Sequence, residues 1–159
     1  MAQQLATLRT PAAYAGVSSY ARAHSGEAAA AAYLALGHAY LADRRFAEAA
    51  ENLQLARKAG GELADYADFL AAQADHEAGN QAAAEALLHG FADRYDDSIF
   101  DDQAPALEAN VLLALNNPSE AQRVLAVATD SADRADYLGN GWRRPDSASR
   151  LYRKKSGEV

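Results

Sequence analysis

The stretch from Tyr33 to Ala56 limits what this chain can fold into more than any other, because two helical patterns flank a short polar turn there. In each pattern, apolar or small residues recur at every third or fourth position, which places them on one face of an α-helix. Small residues at Gly37 and Ala49 leave room for two helix backbones to approach closely. The stretch therefore predicts a hairpin of two antiparallel helices. The first face consists of Tyr33, Leu36, Gly37 and Tyr40, and the second of Phe46, Ala49, Leu53 and Ala56.

Two partial copies of this pattern follow, the second offset by 35 residues and the third by another 37. A period in this range is typical of stacked helix pairs, in which each repeat buries its apolar face against the next. A fragment of the pattern also precedes the first hairpin, and we expect it to cap the stack because its own first helix is missing. The equivalent positions are Ala13, Val17 and Tyr20 in this fragment, Ala72, Ala84, Leu88 and Phe91 in the second copy, and Ala109, Leu112, Ala121, Leu125 and Ala128 in the third.

Start and stop signals divide the repeats into individual helices. Thr10-Pro11 predicts a helix start, since Thr is a good N-cap and Pro at the first helical position wastes no hydrogen bond. This first helix is expected to run to His24, and the signals further predict helices over residues 26–42, 45–59 and 80–94. The remaining boundary signals are Ser25-Gly26 as a restart, Asp43 and Asn80 as caps, Gly60-Gly61 as a stop, Asp101 or Asp102 as a cap, and Asn117-Pro118-Ser119-Glu120 as a capping box.

The composition predicts an all-α fold. Alanine is abundant and no alternating run of Val, Ile or Thr occurs, so no segment has the residues from which strands are usually built. We predict a flexible N-terminus over residues 1–9 and one helical-repeat domain over residues 10–130. The remaining stretch is too short for a full unit and contains a loop rich in Gly, Asn and Pro. Residues 131–159 are therefore predicted to be a truncated repeat or a loosely ordered basic tail.

Charge and residue types exclude several classes of function. The absence of Cys removes disulfides, thiolate metal sites and a Cys nucleophile. The net charge of −7 is uneven: from Leu138 onward six Lys/Arg face two Asp/Glu, a local +4, which leaves −11 for residues 1–137. An acidic body argues against nucleic acid as a partner. The longest apolar stretch, residues 28–39, is too short to span a bilayer and the N-terminus does not resemble a signal peptide, so we expect a soluble chain without a transmembrane segment.

Chemistry-bearing residues do not assemble into a recognisable catalytic or metal motif. The four histidines, His24, His38, His76 and His89, form neither a His-x-x-x-His nor a His-Glu-x-x-His pair. The acidic segment 96–102 lacks the alternating ligands, the central Gly and the final Glu of a calcium loop. The basic segment 150–155 is suited to a membrane surface or nucleic acid, but a solvated terminus is the simpler interpretation. We therefore predict no catalytic residue, no metal and no cofactor.

The hairpin spacing resembles the tetratricopeptide (TPR) repeat, and residues 10–128 resemble the helical-repeat region that precedes the catalytic domain of bacterial soluble lytic murein transglycosylases. In that family the repeats form a curved, right-handed α-superhelix, an α-solenoid, and the chemistry belongs to a separate lysozyme-like domain with a Glu-Ser dipeptide. No Glu-Ser dipeptide occurs here, so the resemblance implies the non-catalytic part. The segments that carry it are Thr10-Pro11-Ala12-Ala13-Tyr14, Ala39-Tyr40-Leu41, Leu63-Ala64-Asp65-Tyr66-Ala67-Asp68-Phe69, Ala83-Ala84-Glu85-Ala86-Leu87-Leu88 and Phe91-Ala92-Asp93-Arg94-Tyr95-Asp96-Asp97-Ser98.

A candidate binding site follows from TPR-like stacking, in which the first helices of successive units line the concave face. A ladder of imidazole and amide groups beside aromatic rings is suited to an extended peptide or glycan strand. Lys and Arg, which a carboxylate-clamp site needs, are missing from these positions. The ladder positions are His38, Gln73 and Asn110, with Tyr66, Phe69 and His76 on the same face.

These observations favour a non-catalytic helical-repeat module that scaffolds or binds a protein, a peptide or a peptidoglycan glycan strand. The resemblance implies the repeat region of a cell-wall lytic transglycosylase and a periplasmic location. The alternative is a free-standing TPR-like adaptor for protein–protein interaction, in the cell envelope or cytoplasm. A small enzyme built on the superhelix is a third hypothesis.

Overall fold

The computed structural model describes the backbone of residues 2–137 and the side chains of residues 5–129. Within this part of the chain every regular element is an α-helix, so the predicted all-α class is confirmed. None of the helices described there is long and apolar enough to span a bilayer. The helices are α1 Ala2–Leu8, α2 Pro11–Ala23, α3 Gly26–Ala42, α4 Phe46–Ala59, α5 Ala64–Glu77, α6 Gln81–Leu88, α7 Phe91–Arg94, α8 Ala104–Ala114 and α9 Pro118–Tyr137.

Several helix boundaries lie where local signals predicted them. The Thr10 hydroxyl accepts a hydrogen bond from the Ala13 amide at 3.3 Å, so Thr10 is the N-cap of α2. α3 spans the predicted residues 26–42, and α4 ends before Gly60, whose φ of 86° suits glycine. α9 begins at Pro118, with the Asn117 side chain accepting a hydrogen bond from the Glu120 amide. These boundaries depend on interactions between residues close in sequence.

The N-terminus differs from the prediction. Residues 2–8 form helix α1 instead of a flexible segment, because Leu5 is buried against α2 and α3 and is only 1% exposed. In α2, Val17 is buried as predicted, but Tyr20 is 38% exposed and Ala21 occupies the buried position instead. Tyr20 stacks on His24.

The predicted helix over residues 80–94 is interrupted. It is divided into α6 and α7 at Gly90, which has a left-handed φ of 64°. The Arg94 guanidinium donates hydrogen bonds to the carbonyl oxygens of Leu87 and His89, which satisfies backbone acceptors at the end of α6. Arg94 therefore compensates in part for the helical hydrogen bonds lost at the break.

Two of the predicted side-chain caps form other contacts, and a third prediction misplaces the start of a helix. Asp43 accepts a hydrogen bond from the Tyr14 hydroxyl at 2.7 Å and pairs with Arg9 at 3.0 Å, and it thereby links α2 to the end of α3. The Asn80 side chain donates to Asp75 instead of capping α6. α8 begins at Ala104 after Gln103, later than the predicted Asp101 or Asp102.

Consecutive helices pack against one another along the chain. α2 packs on α3, α3 on α4, α4 on α5, α5 on α6 and α6 on α8. In addition, α3 contacts α5 and α5 contacts α8, which are the first helices of the successive units. A methyl group added at Gly37 would lie 2.5 Å from Leu53 Cγ, so this glycine permits the close approach of α3 and α4.

Contacts divide the chain into two compact units, residues 1–125 and 126–159. Near the end of residues 1–125, Ala109, Leu112 and Ala121 are buried together as predicted. Leu125 is 44% exposed, and Val124 packs in its place. In the second unit the backbone of residues 126–137 continues α9. The prediction of a truncated repeat or basic tail for residues 131–159 concerns mainly residues outside the described part.

Candidate functional site

The three ladder residues lie at the surface of three neighbouring helices. His38 on α3, Gln73 on α5 and Asn110 on α8 are all exposed, and these helices contact one another in that order. Each side chain follows a buried small residue, Gly37 in the first unit and its equivalents in the others. We refer to the surface formed by His38, Tyr66, Gln73 and Asn110 as the ladder face.

Aromatic rings connect α3 and α5 across the ladder face. The His38 and Tyr66 rings lie 5.3 Å apart between centroids, and Tyr66 lies 5.3 Å from Phe100. Although His38 is exposed as a whole, its ring is partly desolvated, and this lowers the pKa of His38 below its ordinary 6.5. At neutral pH His38 therefore presents a neutral imidazole, which both donates and accepts hydrogen bonds.

Two of the predicted face residues have other roles. Phe69 is 7% exposed and stacks on Phe100 with the ring centroids 4.0 Å apart, so it supports the face from the core instead of contacting a ligand. His76 is half-buried, and its Nδ1 lies 2.7 Å from the Gln81 side-chain oxygen at the start of α6. Of the six predicted residues, His38 and Tyr66 are in ring contact, and Gln73 and Asn110 are exposed on α5 and α8.

Sequence reasoning missed Phe100 as a member of this cluster. Phe100 lies in the turn before α8 and is 7% exposed, in contact with both Tyr66 and Phe69. The sequence pattern of segment 96–102 predicted a helix cap at Asp101 or Asp102 and no buried ring. Its single large aromatic residue was the available signal that the loop folds back on the core. The Ser98 hydroxyl also holds this loop against α5 by donating a hydrogen bond to Asp65 at 2.6 Å.

The ladder residues are surrounded by small side chains, and the three helices that carry them have no positively charged residue. The sequences of α3, α5 and α8 contain neither Lys nor Arg. Exposed alanines, such as Ala31 and Ala42 on α3 and Ala106 on α8, leave the ladder side chains standing above the surface. The face therefore offers hydrogen-bonding groups and aromatic edges without a Lys or Arg on its three helices.

A buried carboxylate fixes α5, the central helix of this face. Asp68 is 1% exposed and accepts a hydrogen bond from the Tyr95 hydroxyl at 2.8 Å. Its Oδ1 lies 2.7 Å from Arg57 Nε on α4, an ion pair without a well-aligned hydrogen bond. Burial, and then the hydrogen bond to Asp68, raise the pKa of Tyr95 above 10.0. The network joins α4, α5 and the end of α7.

A second buried carboxylate explains a departure from the repeat pattern. Asp75 occupies the position equivalent to Tyr40, and it is 3% exposed. It accepts hydrogen bonds from Gln54 on α4 and from Asn80 in the turn, each at 3.3 Å. Tyr40 itself stacks on Tyr14 with centroids 4.6 Å apart. The first and second repeats therefore differ at the same position: one has a stacked tyrosine ring and the other a hydrogen-bonded carboxylate.

Other polar groups do not converge on this face. Within residues 5–129 no three His, Asp or Glu side chains are arranged to hold a metal ion. His89 lies 3.6 Å from Glu108, whose carboxyl has its pKa raised by burial, but this pair lies between α6 and α8.

Comparison with known proteins adds no assignment. No protein-family model, no curated protein and no solved structure matches this chain. The functional argument therefore depends on the geometry of the described residues.

Proposed function

We propose that this chain is a non-catalytic, TPR-like α-solenoid module that binds an extended ligand along its ladder face. The observation that carries the proposal is the placement of His38, Gln73 and Asn110 as exposed residues at equivalent repeat positions on three helices that contact one another in order. In a solenoid, equivalent positions of successive repeats form a continuous row. A row of hydrogen-bonding groups matches a ligand that is itself extended and repetitive.

The chemistry of the face supports a neutral or cationic ligand. Amide and neutral imidazole groups pair with backbone amides of a peptide or with hydroxyl and acetamido groups of a glycan. Tyr66, half-buried between His38 and Phe100, supplies an aromatic edge for apolar contact. The acidic body disfavours an anionic ligand through long-range repulsion.

A peptidoglycan glycan strand is the ligand implied by the resemblance to lytic transglycosylases. On this proposal the chain is the repeat region of such a protein, works in the periplasm and leaves the chemistry to a separate domain. A protein or peptide partner is the alternative, as for a free-standing adaptor in the cell envelope or cytoplasm. The exposure of Leu113 on α8, 56%, near Asn110 favours this alternative because it adds an apolar contact to the face.

An NMR titration of the isotope-labelled chain tests the proposal. The probes are peptidoglycan glycan fragments and a set of extended cationic and neutral peptides. We expect joint shifts at His38, Gln73 and Asn110, and weaker binding after Gln73→Ala. Glu51→Ala, on the exposed side of α4, is the matched control and should leave the affinity unchanged.

Two readouts answer separate questions: the salt dependence of binding identifies the class of ligand, and the location of the shifts tests whether the ladder face binds it. Binding of a cationic peptide should weaken with added salt, whereas binding of a neutral glycan should be nearly independent of salt. Shifts confined to α4 and α6, with the three ladder residues silent for every probe, would show that the module works through another surface or as a spacer.

A further inference from the structure

A cavity of about 360 Å³ lies where the N-terminal half of α3, the C-terminal end of α4 and the start of α5 meet. Its volume is at the small end of the roughly 300–1,000 Å³ of ligand pockets. Most of the lining side chains are too small to fill the junction, and Gly60 and Gly61 add no side chains to it. The apolar lining residues are Ala30, Ala31, Leu34, Ala56, Ala64 and Ala67, with Leu63 beside the opening.

Two carboxylates without partners line the same cavity. Glu27 on α3 and Glu62 before α5 are both exposed, and their carboxylates form neither an ion pair nor a hydrogen bond within the part of the chain that the structure describes. Arg57 also lines the cavity, but Asp68 lies 2.7 Å from its Nε and compensates its charge. The cavity therefore combines an apolar interior with an uncompensated negative rim.

We propose that this cavity anchors the bound ligand of the ladder face by receiving an apolar side chain that is adjacent in sequence to a Lys or Arg. The apolar side chain displaces water from the alanine-lined interior, and the cation pairs with Glu27 and Glu62 at the rim. The ligand class is thus a peptide with a basic residue next to an aliphatic one. An anionic or purely polar peptide lacks both complementary features.

The position of the cavity connects it to the ladder face, so this inference rests on the proposed function. Ala31 lines the cavity and lies on α3 seven residues before His38, which is two helical turns along the same side of the helix. A peptide anchored at Ala31 can therefore continue along α3 toward His38. The anchor would fix the register of the ligand on a face that otherwise offers repeated, similar contacts.

The test uses a probe small enough to report on the cavity alone. Acetyl-Leu-Arg-amide is titrated into the full chain and followed by NMR at Ala30, Ala31, Ala64 and Ala67. We expect saturable shifts with a dissociation constant on the order of 1 mM, as suits a fragment of this size. Acetyl-Leu-Glu-amide and acetyl-Gly-Arg-amide, which each lack one complementary feature, should bind more weakly by about threefold or more.

Variants of the rim and the interior complete the test. The double variant Glu27→Gln, Glu62→Gln should weaken binding of acetyl-Leu-Arg-amide about threefold or more, since each exposed ion pair contributes modestly. Ala31→Leu, at an exposed position that folding tolerates, should obstruct the cavity and abolish the shifts. Glu51→Gln is the matched charge control and should have no effect.

The outcomes distinguish this inference from the proposed function. Equal binding of the Leu-Glu probe, an equal loss in Glu51→Gln, or the absence of any shift at the cavity residues would overturn the anchor. If the longer probes still shift His38, Gln73 and Asn110, the ladder face stands without it. If acetyl-Leu-Arg-amide binds in the cavity but none of the glycan fragments or extended peptides shifts the ladder residues, the proposal of a ladder-face binding site is wrong and the cavity is a separate site.

Discussion

At the scale of single residues, Gly37 shows how tightly α3 and α4 pack. A methyl group at this position would meet Leu53 Cγ at 2.5 Å and Leu53 Cδ2 at 2.6 Å, and Leu53 itself is fully buried. The branched end of Leu53 occupies the space that any other residue at position 37 would need. In the next repeat Ala72, which is equivalent to Gly37, and Ala84, which is equivalent to Ala49, are also fully buried. Small residues at these positions therefore set the distance between paired helices.

We predict that Gly37→Ala destabilises the fold, although alanine is the better helix former. The steric overlap should cost about 1–3 kcal/mol, which outweighs a gain of about 1 kcal/mol in helix propensity. Leu53→Ala alone should cost about 2–5 kcal/mol because it leaves a cavity. Urea unfolding monitored by circular dichroism measures each change.

The same substitution in the Leu53→Ala background is the control. There the added methyl group has room, so Gly37→Ala should be neutral or stabilising. A loss of the same size in both backgrounds would mean that the Leu53 side chain is not what restricts position 37.

At the scale of helices, α5 is fixed by polar contacts as well as by its apolar surface. Asp68 joins it to Arg57 on α4 and to Tyr95 at the end of α7, and Ser98 binds Asp65 near its start. Buried carboxylates are costly unless their partners are in place. The short helix α7, only four residues long, is therefore held against α5 by Tyr95 and Phe91 and not by its own helical stability.

We predict that Tyr95→Phe lowers the free energy of unfolding by about 1–3 kcal/mol, because one oxygen of the buried Asp68 loses its hydrogen bond. The matched control is Tyr33→Phe, since the Tyr33 hydroxyl has no hydrogen-bond partner among the described side chains. That control should stay within about 0.5 kcal/mol.

Thermal and urea unfolding of both variants decide this prediction, with hydrogen exchange in residues 91–100 as a local readout. Equal effects of the two substitutions would show that the Tyr95–Asp68 contact does not stabilise the packing of α7.

At the scale of the whole molecule, charge and surface chemistry are distributed unevenly. Residues 1–137 carry a net −11, yet the ladder face itself has neutral hydrogen-bonding residues and alanines. Two further negative groups, Glu27 and Glu62, line the cavity. A cationic peptide would therefore be attracted to the body at long range and oriented by the cavity at short range.

We predict that the purified chain releases no muropeptides from peptidoglycan. Lytic chemistry needs a carboxyl of raised pKa beside the bound sugar. Burial raises the pKa of Glu108, but this residue is 8% exposed, faces His89 and lies outside both the cavity and the ladder face. Chromatography of digested sacculi measures the release, and activity that Glu108→Gln abolishes would contradict the prediction.

The sequence by itself determined the helical class, several helix boundaries and the small-residue positions at which paired helices meet. Thr10, Gly60 and Pro118 act on their immediate neighbours, and the spacing of Gly37 and Leu53 follows from the helical period. The exposure of His38, Gln73 and Asn110 agrees with their predicted place on the outward side of their helices. All of these features depend on residues close together in the chain.

Only the tertiary structure decided which side chains are buried between those helices. Leu5 is buried, Tyr20 and Leu125 are exposed, and Phe69 stacks on Phe100 below the face, although each sequence pattern suggested otherwise. Such outcomes depend on which distant segment covers a given helix side, and helical periodicity fixes a direction but not the neighbour in that direction. The cavity has the same origin: three separate segments meet there with small side chains, and no local pattern records the empty volume between them.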